Sequence, residues 1–377
     1  MVVKTKSVAE AELTWPQVHA FRMQRHHLVP SGKQDLARVA ADIGGAQAQV
    51  MSAAELQLAV RSERPVTDVR TALWKDRSLI KTWLMRGTLH LIPAKDLPIY
   101  TAAMSGHWMR TRPSWLKYFG LTEAELMKLI ETIGAALNGR PMTREEIIAI
   151  AGKGQSARVR EWLKSGWGGF LKPVARAGGL CFGPSRGQSV TFVRPEDWIG
   201  GWQKIDPEVA IGEVARRYLR AFGPGTKNDF VFWWGRWPGV ANAAWSAIAP
   251  ELTTVSVEGS RAQILTSDLK RLPAAPPGSV QLLPAFDPYL MGYASRDHLF
   301  DAVHRSKVSR TAGWISPVVL VDGAVVGTWS FVVSGKTIRV SLQPFRPLTA
   351  HLRTKVKERA ESLAAALGLA NAELSVA

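Results

Sequence analysis

The hydrophobic positions of this chain repeat one arrangement three times: two or three amphipathic helical segments, then a strand, a turn and a second strand. This order of elements is typical of a winged helix. The three predicted units span residues 1–120, 121–204 and 205–272, and residues 273–377 form a β-rich C-terminal portion with a terminal helix. Because each repeat is about 80 residues long, the pattern indicates an array of small domains rather than a solenoid.

Capping signals mark the helix starts of the first unit. Thr14 precedes a tryptophan and a proline, which predicts a helix with proline in its first turn. Ser52 and Glu55 have the spacing of a capping box and predict the start of another helix, and Thr67 predicts a third. The segment IKTWLMRGTLHLI alternates around Arg86-Gly87, which predicts the wing hairpin.

The same local signals recur in the rest of the chain. Helix starts are predicted at Thr122, Thr143, Ser156, Asp206 and Thr226, and hairpin turns at Arg186-Gly187, Glu258-Gly259, Asp322-Gly323 and Ser334-Gly335. The proline-rich stretch LPAAPPG at residues 272–278 separates the third unit from the β-rich portion.

Charge narrows the range of functions. The chain has 48 Lys and Arg against 31 Asp and Glu, a formal net charge of +17, which indicates a polyanionic partner: nucleic acid first, an anionic membrane surface second. No signal-peptide core and no uninterrupted apolar run of about 20 residues is present, so neither secretion nor a membrane span is predicted. A single cysteine, Cys181, excludes an internal disulfide and fits the cytoplasm. No His, Asp or Glu set has metal-ligand spacing, so no metal or other cofactor is expected.

Five segments carry a resemblance to a known family: GGAQAQ at 44–49, RGTLHLIPAKDL at 86–97, FWWG at 232–235, LLPAFDPYLMGYASRD at 282–297 and SPVVLVDGAVVGTW at 316–329. Together they resemble the bacterial AlkZ/YcaQ-like DNA glycosylases. The resemblance implies an α+β fold, with three tandem winged-helix units in a C-shaped, positively lined arrangement. It also implies hydrolysis of the N-glycosidic bond to an alkylated purine. Gln47 and Gln49 match the family's catalytic Gln-x-Gln motif, in the branch associated with self-resistance to genotoxic natural products.

Two glutamines suit the departure of a base that is already cationic. An N-alkylated purine carries the positive charge that protonation would otherwise supply, so it leaves as a neutral base without a general acid. Amide groups can then hold a water and orient dipoles toward the sugar cation. Residues i and i+2 share one side of an extended segment, and Gly44-Gly45 predicts such a segment before the next helix. Spacing alone favours the alternative that the two amides bond backbone groups at a turn, and the resemblance reverses that preference.

Basic residues in predicted loops and at helix starts are the candidate DNA contacts, because helix starts favour phosphate. They are Arg110, Arg112, Arg158, Arg160, Arg296, Arg305, Lys307 and Arg310. Four residues of the LLPAFDPYLMGYASRD segment are candidates either for structural bracing or for lining the active site: Asp287, Tyr289, Tyr293 and Asp297.

The first hypothesis is a monomeric, monofunctional DNA glycosylase of base excision repair that acts on double-stranded DNA with bulky or crosslinked N-alkylpurines. The second is a non-catalytic winged-helix DNA-binding protein such as a transcriptional regulator, because winged helices are more often binders than enzymes. A regulator is expected to dimerise and prefer a sequence, whereas a glycosylase should bind lesions with little sequence preference. An RNA-binding module is a weaker third alternative.

Overall fold

The first winged-helix unit follows an N-terminal strand and helix. A computed structural model describes residues 11–108, 113–166, 168–235, 238–273 and 278–376. The elements from the N-terminal strand to the end of the first unit are β1 (Ala11–Leu13), α1 (Trp15–Arg25), α2 (Leu36–Asp42), β2 (Ala46–Gln47), α3 (Met51–Ser62), α4 (Val66–Trp74), β3 (Leu79–Trp83) and β4 (Leu89–Pro93). The last three strands form an antiparallel sheet in the order β2-β4-β3, flanked by α2, α3 and α4. This is the order of a winged helix.

The second unit repeats that order after two connecting helices. Its elements and the connectors are α5 (Leu97–Trp108), α6 (Pro113–Phe119), α7 (Glu123–Ala136), β5 (Met142–Thr143), α8 (Arg144–Ala151), α9 (Ala157–Lys164), α10 (Leu171–Arg176), β6 (Cys181–Arg186), β7 (Ser189–Val193) and α11 (Pro195–Ile199). The sheet order is β5-β7-β6. Thr122 and Thr143 both form complete capping boxes, as the sequence predicted. The hydrophobic core of this unit contains Ile133, Phe170 and Phe192, and Trp83 from β3 of the first unit packs in it.

The third unit borrows a strand from the start of the chain. It contains α12 (Pro207–Phe222), α13 (Lys227–Trp234), α14 (Pro238–Ile248), β8 (Leu252–Val257), β9 (Ser260–Leu265) and α15 (Thr266–Leu269). Strand β1 lies parallel to β8 and makes the sheet order β1-β8-β9. Val18 and Phe21 of α1 pack in the same small core as Val255 and Ile264.

The C-terminal portion is built on one five-stranded sheet. Its elements are β10 (Val280–Leu283), α16 (Pro288–Met291), α17 (Arg305–Val308), β11 (Val318–Val321), β12 (Ala324–Ser334), β13 (Thr337–Pro344), α18 (Ala350–Ala366) and β14 (Asn371–Val376). The strands lie in sequence order, antiparallel except for the last pair. Among the helices of the described ranges, none combines the length and the apolar character needed to cross a membrane.

The predicted mixed fold is confirmed, and each of the three sequence spans holds the helices and hairpin of a winged helix. Three details differ from the prediction. The helix predicted to start at Thr67 begins at Val66, after Pro65. The helix after Thr14 was grouped with the first unit, but β1 and α1 pack on the third unit because their pairing partners lie far along the chain. Ser52 does not cap α3, which begins at Met51 after Val50, since the Glu55 carboxylate is bound by Arg70 at 2.8 Å instead of reaching back. The unit boundaries and the C-shape stay predictions.

One large core joins the first unit, the third unit and the C-terminal portion. It contains Ile80 and Ile92 from the first hairpin, Trp233 from α13 and Leu290 from α16. The edge of the first hairpin therefore meets α13 and the segment after β10, and this junction holds the predicted Gln-x-Gln motif.

Candidate active site

Two glycines turn the chain from α2 into the motif. Gly44 and Gly45 have φ values of 71° and 90°, in the left-handed region that glycine adopts at little cost. A Cβ on Gly45 would lie 3.0 Å from the Ile92 side chain, so this backbone packs closely on β4. The chain then runs extended through Gln47, the last residue of β2, and bends at Gln49 before α3 begins. The segment is non-helical, as the sequence predicted.

The carbonyl oxygens of both glutamines face the Arg86-Gly87 hairpin. Gln47 is buried, and its Oε1 accepts a hydrogen bond from Arg86 Nη2 at 2.9 Å. Gln49 is exposed, and its Oε1 accepts from the backbone N–H of Leu89 at 2.8 Å. Because each oxygen is held by a donor, each NH2 group is directed away from the hairpin. Neither NH2 group donates a hydrogen bond to another residue of the described ranges.

Arg86 brings a positive charge to the motif. Its backbone is left-handed, with φ 56°, at the turn between β3 and β4. The Nη1 group donates to the backbone oxygen of Trp233 at 2.6 Å, which ties the hairpin to α13. Burial, followed by repulsion from the nearby Arg296, lowers the pKa of Arg86 to about 10. No ion pair joins Arg86 to a carboxylate in the part of the chain that the structure describes.

His90 lies directly across the sheet from Gln47. The two residues are register partners in β2 and β4, so their side chains share a face of the sheet. The Nδ1 atom lies 3.1 Å from the Thr88 carbonyl oxygen, which assigns the proton of the neutral ring to Nδ1. Burial, followed by repulsion from Arg86, lowers the pKa of His90 to about 3. The ring is therefore neutral at physiological pH and is a poor proton donor.

Asp287 is a buried brace. Its carboxylate is fully buried and binds Arg61 in a bidentate ion pair, with distances of 2.6 Å and 2.9 Å. It also caps α16 by accepting from the Tyr289 N–H at 3.0 Å. These contacts match the bracing alternative for this residue.

The other three candidates of that segment have different surroundings. The buried Tyr289 hydroxyl donates to the Gly323 backbone oxygen at 3.0 Å. Tyr293 is buried with the Arg22 guanidinium 4.2 Å from its ring centre. Asp297 is exposed and pairs with Arg305 at 2.7 Å. None of the four candidates hydrogen-bonds Gln47 or Gln49 within the described residues.

The basic candidates fall into three groups. Arg296 is half-buried at the junction, where Nε donates to the Leu290 oxygen at 2.6 Å and the guanidinium lies 5.7 Å from the Phe232 ring centre. Arg158 and Arg160 are exposed on the first turn of α9, and Arg158 also packs 4.8 Å from the Tyr118 ring centre. The exposed residues around α17 are Arg305, Lys307 and Arg310. Arg110 and Arg112 lie outside the described residues.

Sequence reasoning missed Arg86 and His90 as members of the site, although both fall inside the quoted segment RGTLHLIPAKDL. The signal that could have identified the site was the arginine at position 86. A two-residue hairpin turn favours Asn or Gly there, so an arginine indicates that its side chain has a role. Groups of three or more His, Cys, Asp or Glu side chains that could hold a metal are absent from the described ranges.

Comparison with known proteins identifies the family. A profile described as DNA glycosylase AlkZ-like matches residues 40–366. An interstrand DNA cross-link repair glycosylase of Streptomyces sahachiroi is 39% identical over 361 residues, which cover 92% of this chain and 94% of that protein. The solved structure of the Streptomyces sahachiroi DNA glycosylase AlkZ superimposes with a TM-score of 0.87 at 35% identity, over 97% of this chain and 100% of that one. The chain therefore belongs to the AlkZ-like family of DNA glycosylases.

Proposed function

We propose that this DNA glycosylase hydrolyses the N-glycosidic bond of cationic N-alkylpurines in double-stranded DNA, with Gln47 and Gln49 positioning the water. The observation that supports this most directly is the composition of the site. Both amide oxygens accept hydrogen bonds from the β3–β4 hairpin, and Gln47 lies across the sheet from a histidine whose pKa is lowered to about 3. No carboxylate hydrogen-bonds either amide within the described residues. Such a site lacks a good proton donor and suits a base that needs none.

The amide geometry allows each glutamine to bind one more partner. A carbonyl oxygen has two lone pairs, and each Oε1 uses one for its hairpin donor. The second lone pair accepts a hydrogen bond from the attacking water, while each NH2 presents its dipole to the substrate. Because these groups are already oriented, they require little reorganisation as the sugar cation develops.

The proposed reaction balances without an acid. The C1′–N bond breaks, its electron pair moves to the purine, and the alkylated base leaves neutral. Water oxygen bonds to C1′, and one proton is released to solvent. The product is an abasic site. A neutral lesion such as hypoxanthine would leave as an anion, so its excision should be slow.

Crosslinked purines belong to the proposed substrate range. The Streptomyces sahachiroi relative is named as an interstrand DNA cross-link repair glycosylase. We extend that class of lesion to this chain because the match covers nearly its whole length. The alternative of a non-catalytic regulator has less support, since the chain belongs to a glycosylase family.

Duplex binding is proposed to use exposed cations of the second unit. Arg158 and Arg160 start α9, the third helix of that winged helix, and this helix of a winged helix commonly enters the major groove. A monomer is proposed to bind; sedimentation of the free protein tests this.

Excision itself is tested with two duplexes that differ in one base. Purified protein in excess is incubated with DNA carrying either N7-methylguanine or hypoxanthine at the same position, and abasic sites are revealed by alkaline cleavage. The proposal expects cleavage of the first duplex only, and its loss in the Gln47→Ala/Gln49→Ala double variant. Equal rates on both bases would show that the protein donates a proton to the leaving base. Full activity of the double variant would show that other groups position the water.

A further inference from the structure

The junction around Gln47 contains two arginines whose visible partners are all neutral. Arg86 donates to the Gln47 amide oxygen and the Trp233 backbone oxygen. Arg296 donates to the Leu290 backbone oxygen and, at 3.3 Å, to the Ser309 hydroxyl. In the described ranges neither forms an ion pair with a carboxylate. Charged groups that are removed from water are normally paired, so an opposite charge is missing here.

Geometry places the two guanidinium groups on the same stretch of α13. Arg86 binds the backbone of Trp233, and Arg296 lies over the ring of the preceding residue, Phe232. A third arginine is close to the same turn, because a Cβ on Gly87 would lie 2.8 Å from Arg176 Nη2. The turn is therefore surrounded by positive charge contributed by the first unit, the second unit and the C-terminal portion.

The backbone of Arg86 indicates that its side chain is required. A left-handed conformation is less favourable for a residue with a Cβ than for glycine. At φ 56° beside Gly87 at φ 68°, Asn or Gly would fit the hairpin turn better. Strain of this kind persists where the surroundings need a particular side chain, and functional sites are common examples.

Electrostatics agree with the geometry. Burial is the main cause that lowers the pKa of Arg86, Arg176 and Arg296, and repulsion from Arg296 adds to the effect at Arg86. A bound anion would relieve both effects. Arg86 uses two of its five N–H donors within the described residues, so donors remain for a ligand.

We propose that Arg86 and Arg296 form one anion site beside Gln47, and that it binds a phosphodiester group flanking the nucleotide whose base is excised. The proposal rests on the proposed function, because it assumes that DNA reaches Gln47. Guanidinium groups bind phosphate oxygens through paired hydrogen bonds, which fix position as well as charge. Since Arg86 also holds the Gln47 amide, the same side chain sets the distance between the bound phosphate and the water-positioning group. The nucleotide that carries the bulky base is thereby positioned through its flanking phosphate rather than through the shape of the base.

A scan of single neutralised phosphates tests the site. Duplexes carry a tetrahydrofuran abasic analogue, with one methylphosphonate placed in turn at each linkage from two before to two after the analogue. Affinity is measured for the full-length protein and for Arg296→Gln, which leaves both Arg86 bonds intact. Arg86→Lys is the second variant, because lysine keeps the positive charge but lacks the paired N–H donors of a guanidinium group. Arg339→Gln, on an exposed ion pair with Glu373, is the matched control.

The expected result is one linkage whose neutralisation weakens binding by the wild type and the Arg339→Gln control about 10- to 100-fold, the range for a charged hydrogen bond. At that linkage the loss should shrink to under about threefold in Arg296→Gln, since phosphate and arginine are no longer coupled. Arg86→Lys should reduce the loss partly.

Identical losses in wild type and Arg296→Gln at every linkage would overturn the anion site. That outcome is distinct from failure of the proposed function, because wild-type excision of N7-methylguanine is measured on the same preparation. If excision is present and coupling is absent, the anion site alone is wrong. If excision is absent, the proposed function is wrong whatever the binding result.

Discussion

Two arginines of the first winged-helix unit, one fully buried and one half-buried, have opposite surroundings. Arg61, on α3, is fully buried and binds both oxygens of Asp287, a carboxylate that is equally buried. Arg86, on the β3–β4 turn, binds only the amide oxygen of Gln47 and a backbone oxygen. Each arginine also has a buried histidine beside it, His26 near Arg61 and His90 near Arg86.

The comparison separates a structural charge from a functional one. A buried ion pair with both members present is self-sufficient, and removing one member leaves an uncompensated charge in the interior. A buried cation with neutral partners is less stable in the free protein and gains when an anion binds. The Arg61–Asp287 pair therefore joins the first unit to the C-terminal portion, whereas the charge of Arg86 is available to pair with a bound anion.

The largest expected effect is the loss of stability when the buried Arg61–Asp287 ion pair is broken. Asp287→Ala should lower the free energy of unfolding by about 3–5 kcal/mol, because Arg61 would stay buried without its carboxylate. Urea unfolding followed by fluorescence measures this. Asp297→Ala removes an exposed ion pair and should cost less than about 1 kcal/mol. A similar cost for both variants would remove the distinction between the two regions.

Loss of the glutamine amides beside Arg86 should lower the excision rate and leave the free energy of unfolding nearly unchanged. Gln47→Ala is expected to lower single-turnover excision of N7-methylguanine about 10²- to 10³-fold, the usual cost of losing one oriented polar group. Gln49→Ala should act similarly, and Gln49→Asp should retain activity, since a carboxylate keeps an oxygen acceptor at this position. Gln34→Ala, a glutamine bonded within the loop before α2, is the control. An unfolding midpoint that drops with the rate would indicate a turn-bracing role instead.

Lowering the pH should reduce the free energy of unfolding through the buried histidines beside Arg61 and Arg86. Unfolded histidine titrates near 6.5, whereas burial lowers the pKa of His90 to about 3 and that of His26 well below 6.5. Below about pH 6.5 these histidines are protonated in the unfolded chain but neutral in the native protein. The free energy of unfolding therefore falls as pH decreases from about 6.5. Each such histidine contributes about 1.4 kcal/mol per pH unit in this window. His19 and His298, with pKa values lowered to about 4 and about 2, add to it.

This slope is measured by urea unfolding at pH 6.5, 5.75 and 5.0, above the range in which carboxylates titrate. His90→Asn should make the slope shallower by about 1.4 kcal/mol per pH unit. An unchanged slope would mean that His90 is protonated in the native protein, and it would then return as a candidate general acid.

Exposed arginines should contribute a smaller, salt-dependent amount. Arg158→Gln or Arg160→Gln is expected to weaken binding to undamaged duplex a few-fold and to make the slope of log affinity against log salt shallower by about 1. Fluorescence anisotropy over a salt series measures both quantities. Arg339→Gln again serves as the control. Unchanged slopes in both variants would exclude the start of α9 from the DNA contact.

The smallest expected effect is the change of excision rate with pH. No group near Gln47 that the structure describes titrates between pH 6 and 8, because the pKa of His90 is about 3 and that of Arg86 is about 10. Single-turnover rates on N7-methylguanine should therefore vary less than about threefold across this range. A bell-shaped profile would reveal a proton donor outside the two amides.

Local signals predicted most of the fold, and the failure at Ser52 has a physical reason. Thr14, Thr122, Thr143 and Thr226 all form capping boxes, because this motif depends only on residues three apart. Ser52 has the same spacing but fails, since its Glu55 is bound by Arg70 fifteen positions further on. A long-range ion pair therefore overrode a local preference.

The site was predictable only in part for the same reason. The extended backbone around Gln47 follows from Gly44-Gly45 and the next helix, both close in sequence. Arg86 was placed in a wing turn, where arginine is ordinarily solvated. Its surroundings include the backbone oxygen of Trp233, 147 positions away, and the charge of Arg296, further still. Contacts of that range leave no periodic signal in a single sequence.

The parallel pairing of β1 with β8 has a consequence for how the chain reaches this state. Trp15 N donates to Glu258 Oε1 across 243 positions, so the third sheet gains its outer strand from a segment synthesised long before its partner. At about 5–20 residues per second, that segment waits on the order of tens of seconds on the ribosome. Closing so long a loop costs little more entropy than a loop half its length, but it delays the contact. The first and third winged helices are thus locked together late, once both have emerged.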